Sequence, residues 1–263
     1  TIIHSNTRFS YEDAQEVLEN KSGTHSEELF KLNELAYKLR ERKFKHGAIN
    51  FESTEVKFRL DEKGKPLGVY IKERKDAHKL IEDYMLLANK KVAEFIAKKG
   101  KGKQKLTFVY RTHDTPKEDA LLSFSHFALK FGYKIDISSG RETARSLNFL
   151  MADVEGKKEQ NVLTQLAIRS MAKAVYTTKK HSHYGLAFDF YTHFTSPIRR
   201  YPDVMVHRLL ELYLAGGKSA NEEEYEKFSL HSSLMEKKAA DAERASVKYK
   251  QAEYLQNNIG QKF

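Results

Sequence analysis

The chain has 263 residues, 46 of them Lys or Arg against 36 Asp or Glu, for a formal net charge of +10, with 40% hydrophobic and 31% charged residues. This length and mixture can bury a sizeable core and exclude intrinsic disorder, and the basic balance favours polyanionic partners, because Lys and Arg steer phosphate chains and release their counterions. With no Cys, no run of eighteen apolar residues and no secretory layout at Thr1-Ile2-Ile3-His4, the sequence excludes disulfides, thiolate metal sites, cysteine nucleophiles and membrane-crossing helices, so the cytoplasm is the expected compartment.

Ser10 is a good N-cap for a short helix over Tyr11 to Leu18, which Asn20-Lys21-Ser22-Gly23 breaks. Ser26, with Glu27 and Glu28 behind it, opens a second helix with Leu29, Leu32, Leu35, Ala36 and Leu39 on one face, ending before Gly47. Val56, Phe58 and Leu60 alternate with Lys57, Arg59 and Asp61, and Leu67 to Lys72 follows a Gly-Lys-Pro turn, which predicts a β-hairpin. A long amphipathic helix over 76–98 faces Leu80, Ile81, Tyr84, Met85, Leu87, Ala88, Val92 and Phe95 inward. It ends in a loop with five lysines in the eight residues 98–105, either a solvated loop or a phosphate-backbone contact.

Leu106 to Arg111 reads as a strand, and Thr115-Pro116 as the cap of a helix running to Gly132. Further helices are expected from about Glu142 and over Glu159 to Ala174. Tyr184 to Phe194 reads as a buried strand. Pro202 starts a helix with Met205, Val206, Leu209, Leu210 and Tyr213 inward and Gly216-Gly217 at its end, and Asn221 caps a last helix reaching about Gln256. The pattern is a single α+β unit over 1–263, helix-rich with a few strands. Its non-Met first residue, strand-like Thr1-Ile2-Ile3 and final Gly260-Gln261-Lys262-Phe263 lead us to expect adjoining structure at both ends.

The most informative stretch is His193-Phe194-Thr195-Ser196-Pro197-Ile198-Arg199-Arg200-Tyr201-Pro202-Asp203. Its hydroxyls, its two guanidiniums and a proline-started helix offer neutral donors, planar forks and a positive helix end to one anion, which phosphate suits. Adjacent arginines at a helix start are also common surface salt-bridge partners. The pair His181 and His183, followed by His193 and His207, raises a metal hypothesis, but Asp189 is the only nearby carboxylate. His183 is expected instead to line a channel or to pack beside Tyr184.

Together with Tyr184-Gly185-Leu186-Ala187, Tyr191-Thr192 and Val206-His207-Arg208, this string resembles the signature of the RNB domain of ribonuclease II and ribonuclease R type exoribonucleases, with Tyr201-Pro202-Asp203 closer to the ribonuclease R branch. Thr7-Arg8-Phe9-Ser10-Tyr11-Glu12, Leu80-Ile81-Glu82-Asp83, Met85, Ala88-Asn89, Tyr110-Arg111, His113-Asp114 and Ala242-Glu243-Arg244 extend the likeness. The resemblance implies the helix-rich part of an RNB catalytic domain with mainly antiparallel strands. It also implies a monomeric, non-membrane 3′ to 5′ processive hydrolase that takes single-stranded RNA to nucleoside 5′-monophosphates with Mg²⁺.

By resemblance, Arg199 stabilises charge at the scissile phosphate and Glu243 lies near the 3′-terminal nucleotide, while Tyr11, His193, Thr195, Ser196 and Arg200 contact RNA. A core role for Tyr11, pairing of Glu243 with Lys237 or Lys238, and a structural role for Glu82 are the plainer alternatives. The family's metal-binding aspartate cluster has no counterpart in this sequence and, by resemblance, lies N-terminal to the Tyr11 region. The Mg²⁺ ligands are therefore expected upstream of Thr1, so this chain is expected to be a partial RNB domain, probed by itself inactive, with the following S1 domain also absent. The alternative is a non-catalytic single-stranded RNA-binding module that lacks the metal site.

Overall fold

A computed structural model describes residues 2–50, 55–100, 105–256 and 258–260. It contains eight α-helices and two small antiparallel sheets among those residues, in accord with the helix-rich α+β expectation. Much of the lysine-rich loop lies outside them.

Helix α1 spans Tyr11–Asn20 and begins in a capping box: Asp13 N donates to Ser10 Oγ at 3.0 Å and Ser10 N to Asp13 Oδ2 at 3.1 Å. Helix α2 (Ser26–Lys45) starts at Ser26 itself; the residue before it, His25, has φ 54° and no capping bond, so Ser26 is the first helical residue and not the cap. Of its expected inward face, Ala36 is buried while Leu32 and Leu35 stay exposed. Strands β1 (Glu55–Leu60) and β2 (Pro66–Lys72) form the expected hairpin, in the register Val56 opposite Ile71 and Phe58 opposite Val69. Asp61 Oδ1 accepts from Lys63 N and Lys65 N to close its turn.

Helix α3 (Asp76–Lys99) is the spine of the molecule. Its buried stripe is Ala77, Leu80, Asp83, Asn89, Ala93, Ile96 and Ala97, whereas Ile81 and Phe95, expected inward, are exposed. The stripe is displaced because two polar residues, Asp83 and Asn89, occupy inner positions. Reading apolar side chains alone shifts the inner face toward Ile81 and Phe95.

The expected strand over 106–111 shortens to β3 (Tyr110–Thr112), paired with β4 (Val175–Thr177) as Tyr110 opposite Thr177. Leu106 to Val109 are buried without a ladder, and side chains replace it. Thr107 N donates to Ser219 Oγ (2.9 Å), Tyr213 Oη to Thr107 O (2.6 Å) and Thr192 Oγ1 to Val109 O (2.7 Å). Strand β4 went unforeseen because it is only three residues long and directly follows the expected helix end at Ala174. That helix, α6 (Gln160–Ser170), ends four residues before the expected Ala174.

Helix α4 (Glu118–Leu129) begins two residues after Pro116, and α5 (Gly140–Asp153) begins at Gly140 because Ser139 Oγ caps Glu142 N at 3.2 Å. Helix α7 (Tyr201–Leu214) buries Met205, Val206, Leu209 and Tyr213 as expected. At Gly217 a Cβ would lie 2.3 Å from Leu212 Cδ1, so the turn out of α7 accepts only glycine. Helix α8 (Glu222–Gln256) is capped by Asn221, whose Oδ1 accepts from Glu223 N and Glu224 N.

Two cores result. One joins the far half of α3, Phe108 to Tyr110, Tyr176 and α7, and the other joins α4, α5 and α6 around Leu147 and Leu163. The expected strand over 184–194 does not form. Tyr184–Leu186 is a 3-10 turn that ends at Ala187 with φ 52°, and the chain beyond follows side-chain anchors in place of a ladder. Among the described residues no helix is long and apolar enough to cross a membrane.

Candidate functional site

Three polar anchors sit along α3. At its start, Gln15 Oε1 accepts from Ala77 N (2.9 Å) and supplies the cap that Lys75 lacks. Midway, Arg40 and Lys43 from α2 meet the buried Asp83 at 2.9 and 3.7 Å. Further along, Asn89, only 3% exposed, reaches the signature loop.

Asn89 Oδ1 accepts from both Phe194 N (2.9 Å) and Thr195 N (3.2 Å), and its Nδ2 donates to Tyr191 Oη (3.1 Å). One side-chain amide thus fixes three groups of the loop. From the other side, His207 Nε2 of α7 donates to Phe194 O (2.8 Å) and stacks on the Phe194 ring with centroids 4.2 Å apart. Asp203 is 0% exposed, and its Oδ1 accepts from Ser196 N (2.7 Å) and from Arg200 Nη2 (2.8 Å). The backbone turns over Ser196, whose carbonyl accepts from Arg199 N and Arg200 N.

The two arginines therefore differ in kind. Arg200 is folded under the loop as the partner of a buried carboxylate. Arg199 is exposed at the tip beside the fully exposed Ile198 and makes no ion pair with a described residue. Thr195 and Ser196 lie at the base of the turn, both partly buried. Thr195 Oγ1 is buried with no hydrogen-bond partner among the described residues.

Beneath the loop, His113, His183, Tyr191, His193 and Tyr176 follow one another in ring contact, at centroid spacings of 5.0, 5.3, 5.7 and 5.5 Å. Burial, joined by the positive field of Arg200 and Arg111, pushes His193 down to about 2, and burial with His113 pushes His183 down to about 3. Both imidazoles are neutral at ordinary pH. His193 is thus a half-buried partner of Tyr176, with Nδ1 2.7 Å from Tyr176 Oη, and His183 packs on His113 and Tyr191. Gly185 N donates to His113 Nδ1, and a Cβ at Gly185 would lie 3.0 Å from that same atom, so the close approach needs glycine.

Tyr11 is remote from this loop. It is 44% exposed at the start of α1 and stacks on His78 of α3 at 4.3 Å. His78 and Asn89 are eleven residues apart on α3, about 16 Å along the helix axis. Glu243 lies in the exposed middle of α8 and makes neither an ion pair nor a hydrogen bond with a described residue, Lys237 and Lys238 included. Glu82, read as structural, pairs with Arg74.

The described residues do not fit Mg²⁺: among them no three His, Asp or Glu side chains converge as a divalent ion requires. What the site offers instead is an unpaired guanidinium on a loop whose backbone is pinned from two helices. Sequence reasoning named Asn89 and Asp203 only within the family likeness and gave neither the pinning role, although both leave a signal. A lone Asn on the buried stripe of an amphipathic helix, and an Asp three residues after an Arg at a helix start, are both polar groups that require a partner.

The RNB domain family matches residues 1–216. Ribonuclease R of Thermotoga maritima is 38% identical over 276 residues, covering all of this chain and 38% of that protein. The first curated relatives are matched over only 28% and 40% of their own length. Among solved structures, Mycoplasma genitalium RNase R in complex with ribose-methylated single-stranded RNA superposes with a TM-score of 0.84 at 24% identity, covering 97% of this chain and 41% of that one. Yeast Ssd1, a pseudonuclease, superposes with a TM-score of 0.62 at 21% identity, covering 85% of this chain and 27% of that one.

Proposed function

Because the chain belongs to the RNB domain family, we propose that it is part of a 3′ to 5′ processive hydrolytic exoribonuclease that degrades single-stranded RNA to nucleoside 5′-monophosphates. In this reading the described segment guides RNA and clamps the scissile phosphate. It does not cleave by itself, because the carboxylates that a Mg²⁺ ion needs do not come from its described residues. The observation that carries the reading is the contrast between two neighbouring arginines. Arg200 is committed to Asp203, while Arg199 makes no ion pair with a described residue and stands on a loop held by Asn89, His207 and Asp203. A preorganised guanidinium meets charge as it develops on a phosphoryl group without reorganising first. The buried, unpartnered Thr195 hydroxyl is a further donor available to a phosphate oxygen.

Tyr11, about 16 Å back along α3 from the loop's anchor, then belongs to the RNA path and not to the reacting centre. Glu243 belongs near the 3′-terminal nucleotide, and His193 and Arg200 support the loop from below. The protein is proposed to act as a cytoplasmic monomer.

The test is single-stranded RNA labelled in one sample at its 5′ end and in another at its 3′-terminal nucleotide, incubated with the full-length protein and Mg²⁺. Nucleoside 5′-monophosphates should appear from the 3′ end without a ladder of intermediates. Fragments cut internally, or release from the 5′ end, would overturn the reading. A second reading, a single-stranded RNA-binding module without catalysis, is favoured by the missing carboxylate cluster among the described residues and by the fold shared with a pseudonuclease. Salt-dependent RNA retention with no mononucleotide release from the full-length protein would select it.

A further inference from the structure

Arg111 is the most heavily engaged charged residue near the signature loop, and nothing in the proposed chemistry uses it. Its guanidinium forks onto Glu236 of α8, Nη1 to Oε2 at 2.7 Å and Nη2 to Oε1 at 3.0 Å. The same guanidinium lies 4.4 Å above the Tyr176 ring, and Tyr176 Oη is 2.7 Å from His193 Nδ1. The backbone N of Arg111 donates to Tyr191 O at 2.9 Å. One residue therefore touches the underside of the signature loop and the side of α8.

Helix α8 is held at two places. Near its start, Glu226 accepts from Thr177 and Thr178, Ser229 is buried, and Ser233 Oγ accepts from Tyr176 N at 2.9 Å before Arg111 takes Glu236. Near its end, Lys250 Nζ donates to Gly64 O of the hairpin turn and Tyr254 packs on Phe58 at 6.2 Å. Between these points the helix is almost wholly exposed. Seven residues advance an α-helix by nearly two whole turns, with a drift of about 20°. Ser229, Glu236, Glu243 and Lys250 consequently share one stripe, whose other three members all face the body of the protein. Glu243 points the same way but meets no protein partner among the described residues. The rotation of α8 that aims Glu243 inward is set by the groups that grip this stripe, and Glu236 is the last of them before the unsupported span.

We propose that Arg111 is a positioning residue: through its fork onto Glu236 and its stacking on Tyr176 it fixes the rotation of α8 relative to the signature loop, and so aims Glu243 at the site that Arg199 serves. The catalytic half of this inference rests on the proposed exoribonuclease reading; the geometric half does not.

The experiment uses the full-length protein without other cysteines, carrying spin labels at Leu214→Cys on α7, the helix that clasps the signature loop through His207, and Val247→Cys, two exposed positions outside the proposed machinery. Label distances are measured by pulsed EPR in the parent, Arg111→Glu, Glu236→Arg and the charge-swapped double variant, alongside kcat, KM and thermal midpoint on single-stranded RNA. The expected result is a broadened distance distribution in each single variant, with kcat lowered roughly 10- to 100-fold at nearly constant KM. The swap should recover both the narrow distribution and most of kcat. An unchanged distribution in the single variants, or a swap that recovers the thermal midpoint but not kcat, overturns the proposal. If the parent releases no mononucleotides, the exoribonuclease reading fails, while the distance distributions still decide whether Arg111 sets the helix.

Discussion

The signature loop carries Arg199 and the middle of α8 carries Glu243, and neither side chain has an ion-pair or hydrogen-bond partner among the described residues. They are supported in opposite ways. The loop has no regular secondary structure, yet Phe194, Thr195 and Ser196 donate their backbone N–H groups to two buried side chains, Asn89 and Asp203, and His207 clasps it from α7. The α8 span is continuous helix and, among the described residues, bonds only to itself, with its anchors at either end. Precision in the first comes from buried polar contacts at the residue itself. In the second it comes from stiffness, so a change far along the helix is felt at Glu243, whereas the loop answers only to its immediate neighbours.

Five substitutions and one change of condition press on this contrast. The largest effect is expected at Arg199→Ala in the full-length protein: kcat should fall roughly 10² to 10³-fold, in the range of removing one preorganised donor, with RNA affinity changed only a few-fold. Equal losses in titrated binding and in turnover would make Arg199 a plain binding group. Asp203→Ala should cost about 3 kcal/mol of stability by urea unfolding, since it leaves the Arg200 guanidinium without its buried partner. Asn89→Ala should cost about 2 kcal/mol by the same measurement, because two loop N–H groups lose their acceptor.

Acid should act on the loop and spare the helix. His183 and His193 hold their imidazoles neutral when folded but titrate near 6.5 when unfolded, so the unfolded chain binds more protons below that value. Their contribution is intact above pH 6.5 and falls by about 1 kcal/mol per histidine for each pH unit below it, toward the folded values. Unfolding midpoints from pH 7 to 5 should therefore decline, and His183→Gln should flatten the slope. The smallest effect belongs to the span: Ala239→Gly should lower stability by about 1 kcal/mol. If stiffness positions Glu243, this substitution one turn before it in the exposed span should nevertheless reduce kcat while leaving KM alone.

What the sequence makes legible follows from how local each cause is. Ser10 and Asn221 cap their helices through neighbouring N–H groups, and Pro202 with Gly216-Gly217 brackets α7, so those elements can be read directly. The signature string could be read as a phosphate site, and its exposed tip agrees with that reading. Position within the site was not legible. Nothing in the pair Arg199-Arg200 says which guanidinium turns under the loop; that is decided by Asp203 three residues on, together with Ser196. Segment 106–109 is buried and segment 184–194 only partly so; both resemble strands in composition, but backbone groups in them find side-chain partners far away in sequence, Thr192 and Tyr213 for the first and His113 and Asn89 for the second.

The clasp on Leu106 to Val109 has a consequence for how the protein is made. Thr107 depends on Tyr213, Ser219 and Ala220, partners 106 to 113 residues downstream. At about 5–20 residues per second, a ribosome needs roughly 5–20 s after synthesising Thr107 before those partners exist. Throughout that interval the central segment of the first core has unmet backbone donors and exposed apolar side chains, so the nascent chain passes through a window in which a chaperone or a second nascent chain competes with α7 for the same edge.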